Sequence, residues 1–541
     1  MGIALAMALV IFVSGGEPMS SDVAILVNQA GYDLDGPKRV WLQTEFDPEE
    51  IPSFQLLRND DVVWEGEWGP SQRIEPWERW YRVGDLSLWR EEGEYRVRVE
   101  WKGESVESLP FRIERLRLAR WTGPLATHFF FIQRCGTEVP GWHPPCHMDD
   151  ARMPDGSHRD LTGGWHDAGD YNKYNGYTPL SVYALAKYAE SPSSKIAEWE
   201  EDLPLPMEEA LWGAAWLRKC QDPKTKGLIG SVFSGYGFWG PPERETDNIP
   251  GNDDDRPVRP SEWAENEMAV AAYAVLARIT KDAGWKQAGE GLWDVVCRRD
   301  PGNDLLRRSK RLLAATELFR TTGDESLKTY AFSDAEFLIR TQAEDGGWNI
   351  WPIVDFGLPP ASLAEFLIAF PENDLSSPAR DALRRYLNFR ESRRAHPFDI
   401  PRWSETEYFY PFVPDKWYVG QNSMYLSQAW ADLLIGKVFP EWEKRTRLWA
   451  AGCLDWVLGA NPIGVCMMYG AGSVHLRRYH HRYEAIPNGE NGLVPGAICN
   501  GITRRRSDLD APYLDLEGNS WQTNEPWLPH NAYYLLALAM Y

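Results

Sequence analysis

Residues 108–134, SLPFRIERLRLARWTGPLATHFFFIQR, contain the switch that decides the fold. Up to Glu114 apolar and polar residues alternate, the period of a half-buried strand. Beyond Leu116 apolar residues recur every three or four positions, the period of an amphipathic helix. Working back from Arg115, further short alternating runs appear: AILVN, KRVWLQT, SFQLLRN, DVVWEGEW, RWYRVGDL and GEYRVRVEW, separated by Gly, Pro, Asn and Asp. With SLPFRIE they make about seven strands, which predicts an antiparallel β-sandwich of immunoglobulin type over residues 22–115.

Working forward over residues 116–541, helical periodicity is expected near 118–134, 178–190, 206–220, 262–279, 281–298, 308–322, 325–342, 359–371, 377–393, 422–436, 440–458 and 529–541. The connections are read as long after each odd-numbered helix and shorter after each even-numbered one. In an up-and-down array all odd connections lie at one end. The Gly-, Trp- and Asp-rich inserts therefore collect on one face of an all-α array, where loops carry function on a rigid base. Six helical hairpins closing on themselves predict an (α/α)6 barrel.

At 541 residues the chain is longer than a typical single domain, which agrees with one small and one large unit. The balance of 57 basic and 79 acidic residues leaves a charge of −22, which argues against nucleic acid and anionic membrane as partners. No glycine-rich loop followed by Lys and Ser/Thr appears, so an organic nucleotide cofactor has no support. Aromatics reach 13% with 27 Trp, more than a core requires, and some are expected to line a groove for a ligand with flat apolar faces. Residues 1–21 carry a short apolar run followed by Ser14, Gly15 and Gly16, which reads as a weak export signal lacking a basic start. A secreted, extracellular protein is the expectation. Seven Cys do not make a disulfide scaffold in a chain this long.

The chemistry is expected in residues 161–177, LTGGWHDAGDYNKYNGY. Asp167 and Asp170 stand three apart among glycines, with Trp165, Tyr171 and Tyr174 around them. A solvated turn or a calcium loop would also look like this. Fixed carboxylates beside flat rings suit a sugar, whose ring face stacks while its hydroxyls hydrogen-bond, so Trp165 and Tyr171 are candidate substrate contacts. Just upstream, Cys135, His143, Cys146, His147, His158 and His166 form a Cys/His cluster. Thiolates with imidazoles suit structural zinc; a Cys135–Cys146 disulfide is the competing reading. The acidic run 252–255 suits calcium, without assignable ligands. Glu265 and Glu267 are rival carboxylates, and Trp239, Trp348, Trp351, Trp417 and Tyr418 are candidate stacking platforms.

The DAGDY run resembles the signature of glycoside hydrolase family 9, the cellulase and endoglucanase family. VNQAGYDLDGPKRVWL looks like the opening of the small sandwich that precedes many of its catalytic domains. Tyr479-His480-His481-Arg482 resembles its HHR element, LVPGAICNG its PGA segment, and Asn524-Glu525 its NE pair before the last barrel helix. The resemblance implies an inverting hydrolase of β-1,4-glucan. Asp170 would be the base that activates water, Asp167 its partner in holding that water, and Glu525 the acid. His480 and Arg482 would bind sugar hydroxyls, and Cys135, Cys146, His147 and His166 would hold a structural zinc. Trp527 beside Glu525 would raise that carboxyl by desolvation. Two departures, Tyr479 for the usual Pro and Pro526 to His530 for the usual small apolar run, bear on the subsites. They leave open exo action on short oligosaccharides or glucosaminides, with an inactive carbohydrate-binding protein as a third reading.

Overall fold

The computed structural model describes residues 22–201, 203–259, 265–350, 353–410, 419–504, 510–518 and 520–541. Residues 1–21 and the candidate platforms Trp351, Trp417 and Tyr418 lie outside the described residues.

The alternating runs form strands β1 (Val23–Leu26), β2 (Tyr32–Asp33), β3 (Arg39–Thr44), β4 (Phe54–Arg58), β5 (Asp61–Gly66), β6 (Gln72–Ile74), β7 (Arg79–Asp85), β8 (Gly93–Trp101), β9 (Glu104–Glu107) and β10 (Phe111–Glu114). One sheet runs β1-β3-β7-β6, and the other runs β2-β10-β8-β4-β5 with β9 paired to β8. Their inner faces meet on Val40, Leu42, Phe54, Leu56, Tyr95, Val97 and Ile113. All seven expected strands are present. The three extra ones are short: β2 and β6 have two and three residues, and β9 returns from β8 through Lys102 and Gly103, both at positive φ.

The helical region opens at Arg117. Among the described residues, twelve helices have twelve residues or more: α1 (Arg117–Ile132), α2 (Thr178–Glu190), α3 (Pro206–Lys219), α4 (Asn266–Thr280), α5 (Ala283–Arg298), α6 (Leu305–Thr322), α7 (Leu327–Thr341), α8 (Leu358–Ala369), α9 (Ser376–Ser392), α10 (Asn422–Val438), α11 (Glu443–Val457) and α12 (Leu528–Met540). Contacts run α2 to α4, α6, α8, α10, α12 and back to α2, a closed inner ring, while each odd-numbered helix packs outside it. The inner helices are mostly buried, as doubly covered helices must be; in α10 every residue but Lys437 is buried, while α6 buries Lys310, Arg311 and Glu317 in ion pairs. This is the (α/α)6 barrel.

The long inserts enter the N-terminal ends of the inner helices, as expected from the alternation, with one exception. The connection after α5 is only residues 299–304, closed by Gly302 at positive φ and by Asp304 capping α6. Among the described residues, no helix is long and apolar enough to cross a membrane.

Candidate active site

Three carboxylates meet on this face. Asp167 and Asp170 lie in the loop before α2, and Glu525 follows the short helix Trp521–Asn524 just ahead of α12. The N-terminal ends of inner helices leave backbone N–H groups unused, and the one at Leu528 donates to Asp167 O at 3.0 Å, which joins the chain's last helix to the loop. Glu525 is drawn in further by the backbone N–H of Gly169. A Cβ at Gly169 would meet His480 O at 1.9 Å and Glu525 Oε1 at 3.2 Å, so only glycine lets the three segments approach.

Asp167 and Asp170 are buried and Glu525 is half-buried, and loss of solvent around the carboxyl raises each of them. They separate through their partners. Asp170 rises to about 6, held from going higher by the charge of Arg482 and by hydrogen bonds from Asn172. Glu525 is lifted well above the usual range by burial and then by the charge of Asp170, with only partial relief from Arg482. Asp167 is likewise raised by burial and by Asp170, against a hydrogen bond from Trp527 Nε1 to Oδ2 at 2.8 Å. Its Oδ1 is buried with no hydrogen-bond partner among the described residues. Asp170 is thus the carboxyl of the three whose partners most favour its charged form, and its charge in turn pushes Asp167 and Glu525 towards the protonated form.

The other candidate residues divide. His480 packs its ring on Trp239 at 5.0 Å, at the rim. Arg482 is buried and donates to Gly169 O (3.0 Å), Phe238 O (2.8 Å) and Tyr236 O (2.9 Å), so its guanidinium fastens the loop 236–240 over the Asp pair. Trp165 does not face the cleft. It is fully buried, donates to Glu209 and packs on Phe130 and Gly213, which corrects the expectation that it stacks on substrate. Tyr171 is corrected in the same way: its ring lies 4.8 Å from His166 and its hydroxyl donates to Gly240 O. Trp348 is buried with its N–H on Leu338 O.

The exposed aromatics beside the carboxylates are Tyr236, 65% exposed, and Trp239, 38% exposed. The Tyr236 hydroxyl meets that of Tyr174 at 3.2 Å and its ring rests on Phe233 at 5.3 Å. Asp167, Asp170 and Glu525 all act on Tyr236 electrostatically. Sequence reasoning passed over it, although the GYGFWG glycines mark the loop that presents it. The rival carboxylates are held by cations, Glu265 by Lys310 (2.8 Å) and Glu267 by Arg307 (3.5 Å).

Upstream, Cys135, Cys146, His147 and His166 converge, with one donor atom from each lying within 4.8 Å of the others and all four residues buried. Cys135 Sγ is 3.5 Å from His147 Nδ1, and Cys146 Sγ is 3.7 Å from His166 Nε2. Both cysteines are free, so they do not form the alternative disulfide. Burial raises the Cys135 thiol, but its hydrogen bond with Cys146 and the charges of Lys173, His147 and His166 outweigh that and bring it well below the usual value. The group can hold a metal ion. His143 and His158 stand apart, on Pro144 O and Asp255. In the acidic run, Asp254 and Asp255 come together with Asp149, and all three accept hydrogen bonds from the loop 246–251 or from His158.

Known proteins agree with this architecture. Residues 125–538 match the family described as Glycosyl hydrolase family 9, and residues 20–104 match the Cellulase N-terminal ig-like domain. Endoglucanase D of Acetivibrio thermocellus is 25% identical over 501 residues, 84% of this chain and 74% of that one. The cellulose 1,4-beta-cellobiosidase of Acetivibrio thermocellus is 24% identical over 487 residues, 76% of this chain and 52% of that one. The crystal structure of a Zn-binding triple mutant of the family 9 endoglucanase J30 superposes with a TM-score of 0.70 at 22% identity, covering 94% of this chain and 98% of that one. With a closed six-hairpin barrel, an N-terminal sandwich and a match over most of its length, the chain belongs to glycosyl hydrolase family 9.

Proposed function

We propose that this chain is a secreted, inverting hydrolase of β-1,4-glucan in which Asp170 is the base, Asp167 its partner in holding water, and Glu525 the acid. The observation that carries the roles is the seating of Glu525 against Gly169, within reach of the charge of Asp170, whose partners Arg482 and Asn172 favour its ionised form. Glu525 gives its proton to the glycosidic oxygen as the C–O bond breaks. A water on the opposite face of the ring attacks the anomeric carbon and passes a proton to Asp170, which inverts the configuration. Asp167 Oδ1, which has no hydrogen-bond partner among the described residues, is free to hold that water. Tyr236, Trp239 and His480 form the sugar-contacting rim. The names of the relatives, an endoglucanase and a cellobiosidase, support the substrate class.

Zinc is the proposed occupant of the Cys/His group. Metal–sulfur and metal–nitrogen bonds of about 2.3 and 2.0 Å at a tetrahedral angle put S and N roughly 3.5 Å apart, which fits the observed 3.5 and 3.7 Å. Such a closed set leaves no position for water, so its contribution when bound is structural.

Release of reducing sugar from carboxymethyl-cellulose and cello-oligosaccharides tests the roles. Glu525→Gln and Asp170→Asn are each expected to lose at least about 1,000-fold in kcat while staying folded. Turnover near the parent rate in either variant removes the assignment.

A further inference from the structure

We infer that Glu245 is a positioning residue that couples the Cys/His group to Asp170, so that the metal site sets the orientation of the base. This rests on the metal reading above. His147 turns Nδ1 towards Cys135 and Nε2 towards Glu245 Oε2, at 2.9 Å. A carboxylate on the outer nitrogen of a ligating histidine fixes its tautomer and strengthens it as a ligand. The other oxygen, Glu245 Oε1, accepts from Ser234 Oγ at 2.7 Å. The Ser234 N–H donates to Asn172 Oδ1 at 3.1 Å, and the Asn172 N–H donates to Asp170 Oδ1 at 2.8 Å. Asn172 Nδ2 closes the link on Gly235 O at 3.2 Å. A continuous run of hydrogen bonds thus joins His147 to Asp170.

A second, separate tie runs alongside. Arg256, buried, places Nη2 3.7 Å from Cys135 Sγ and donates from Nη1 to Tyr171 O at 2.6 Å, next to Asp170; Nη1 also lies 3.6 Å from Glu245 Oε2. One oxygen of Asp170 is fixed by Asn172, and the direction of the other follows from it. Misplacing a catalytic group by about 1 Å can cost on the order of 100-fold in rate.

The test uses full-length Glu245→Ala, Glu245→Gln and Ser234→Ala. Zinc affinity is measured by competition with a chromophoric chelator, and kcat and KM are measured on a cello-oligosaccharide with one equivalent of zinc bound. Glu245→Ala is expected to bind zinc roughly 10- to 100-fold more weakly and, when loaded, to turn over about 10-fold more slowly with KM little changed. Glu245→Gln still accepts from His147 and reaches Ser234, and it should recover most of both losses. Ser234→Ala, on the surface and away from the ligands, should keep parental zinc affinity and melting temperature while losing about threefold in kcat. Parental kcat in zinc-loaded Glu245→Ala overturns the inference, as do equal melting losses in the Ala and Gln variants with no change in kcat or zinc affinity. The zinc measurement needs no substrate, so its failure is distinguishable from failure of the glucanase reading.

Discussion

Arg482 restrains both Asp170 and Glu525, but Asp170 also accepts from Asn172 and rises only to about 6, whereas Glu525 is lifted well above the usual range. Glu525 feels the ionised Asp170 and rises further. The base works only when ionised and the acid only when protonated, so the two limbs of the pH profile have fixed signs. The profile of kcat/KM should fall as pH drops through about 6, where Asp170 takes up a proton. The alkaline limb should lie well above an ordinary glutamate, and Arg482→Met should move the acid limb to higher pH by removing the charge that restrains Asp170. Initial rates from pH 4 to 9 check this; an acid limb that stays in place in the Arg482 variant contradicts the assignment of the base. The three carboxylates were legible in the sequence because motif and order pointed to them. Trp165 and Tyr171 were misread for a physical reason: the sequence shows aromatics near a carboxylate but not which side of an irregular loop faces solvent. Gly164, at positive φ with Trp216 against it, turns that loop so that Trp165 enters the barrel wall.

At the scale of elements, helices announce themselves through a period that survives over ten or more residues, and all twelve appear within a few residues of the expected bounds. Strands β2 and β6 have too few residues to show a period, and the rim loop 234–240 has none. Its shape comes from outside it, from Arg482 holding the carbonyls of Tyr236 and Phe238 and from Glu484 accepting the Trp239 indole N–H at 2.5 Å. Such long-range fastening cannot be read from local sequence. The loop holds Tyr236 as an exposed ring against Phe233, preorganised for a sugar face. Tyr236→Ala should raise KM for cello-oligosaccharides about 10-fold, roughly 1.4 kcal/mol, with kcat within about twofold, because stacking away from the breaking bond acts equally on ground and transition states. A kcat loss without a KM change would place Tyr236 in the chemistry instead.

Over the whole molecule, the sandwich is joined to the barrel through a shared core. Trp41, Trp77 and Tyr81 belong to the same apolar cluster as the barrel helices. Trp77 meets Tyr408 at 4.7 Å, Phe398 and Phe409 at 5.9 Å, and Trp456 at 6.3 Å, and its N–H donates to Asp510 O at 2.9 Å. Arg39 pairs with Asp399, and Asn28 donates to Asp455 Oδ1 at 2.8 Å, so polar ties cross the seam beside the rings. Asp510 also accepts from Phe409 N at 3.0 Å, which binds this seam to the long inserts of the active face. Interfaces between units of one chain are usually polar and permit separate motion; an aromatic one of this kind predicts that sandwich and barrel unfold together. Scanning calorimetry on the parent should therefore show a single transition. Trp77→Ala removes the central ring at a cost of about 3–5 kcal/mol, which should lower the midpoint and divide the transition, with the sandwich melting first and loss of hydrolysis following the earlier step. A parent that already melts in two steps, or a variant whose single transition is unmoved, would mean that the Trp77 cluster does not couple the two units.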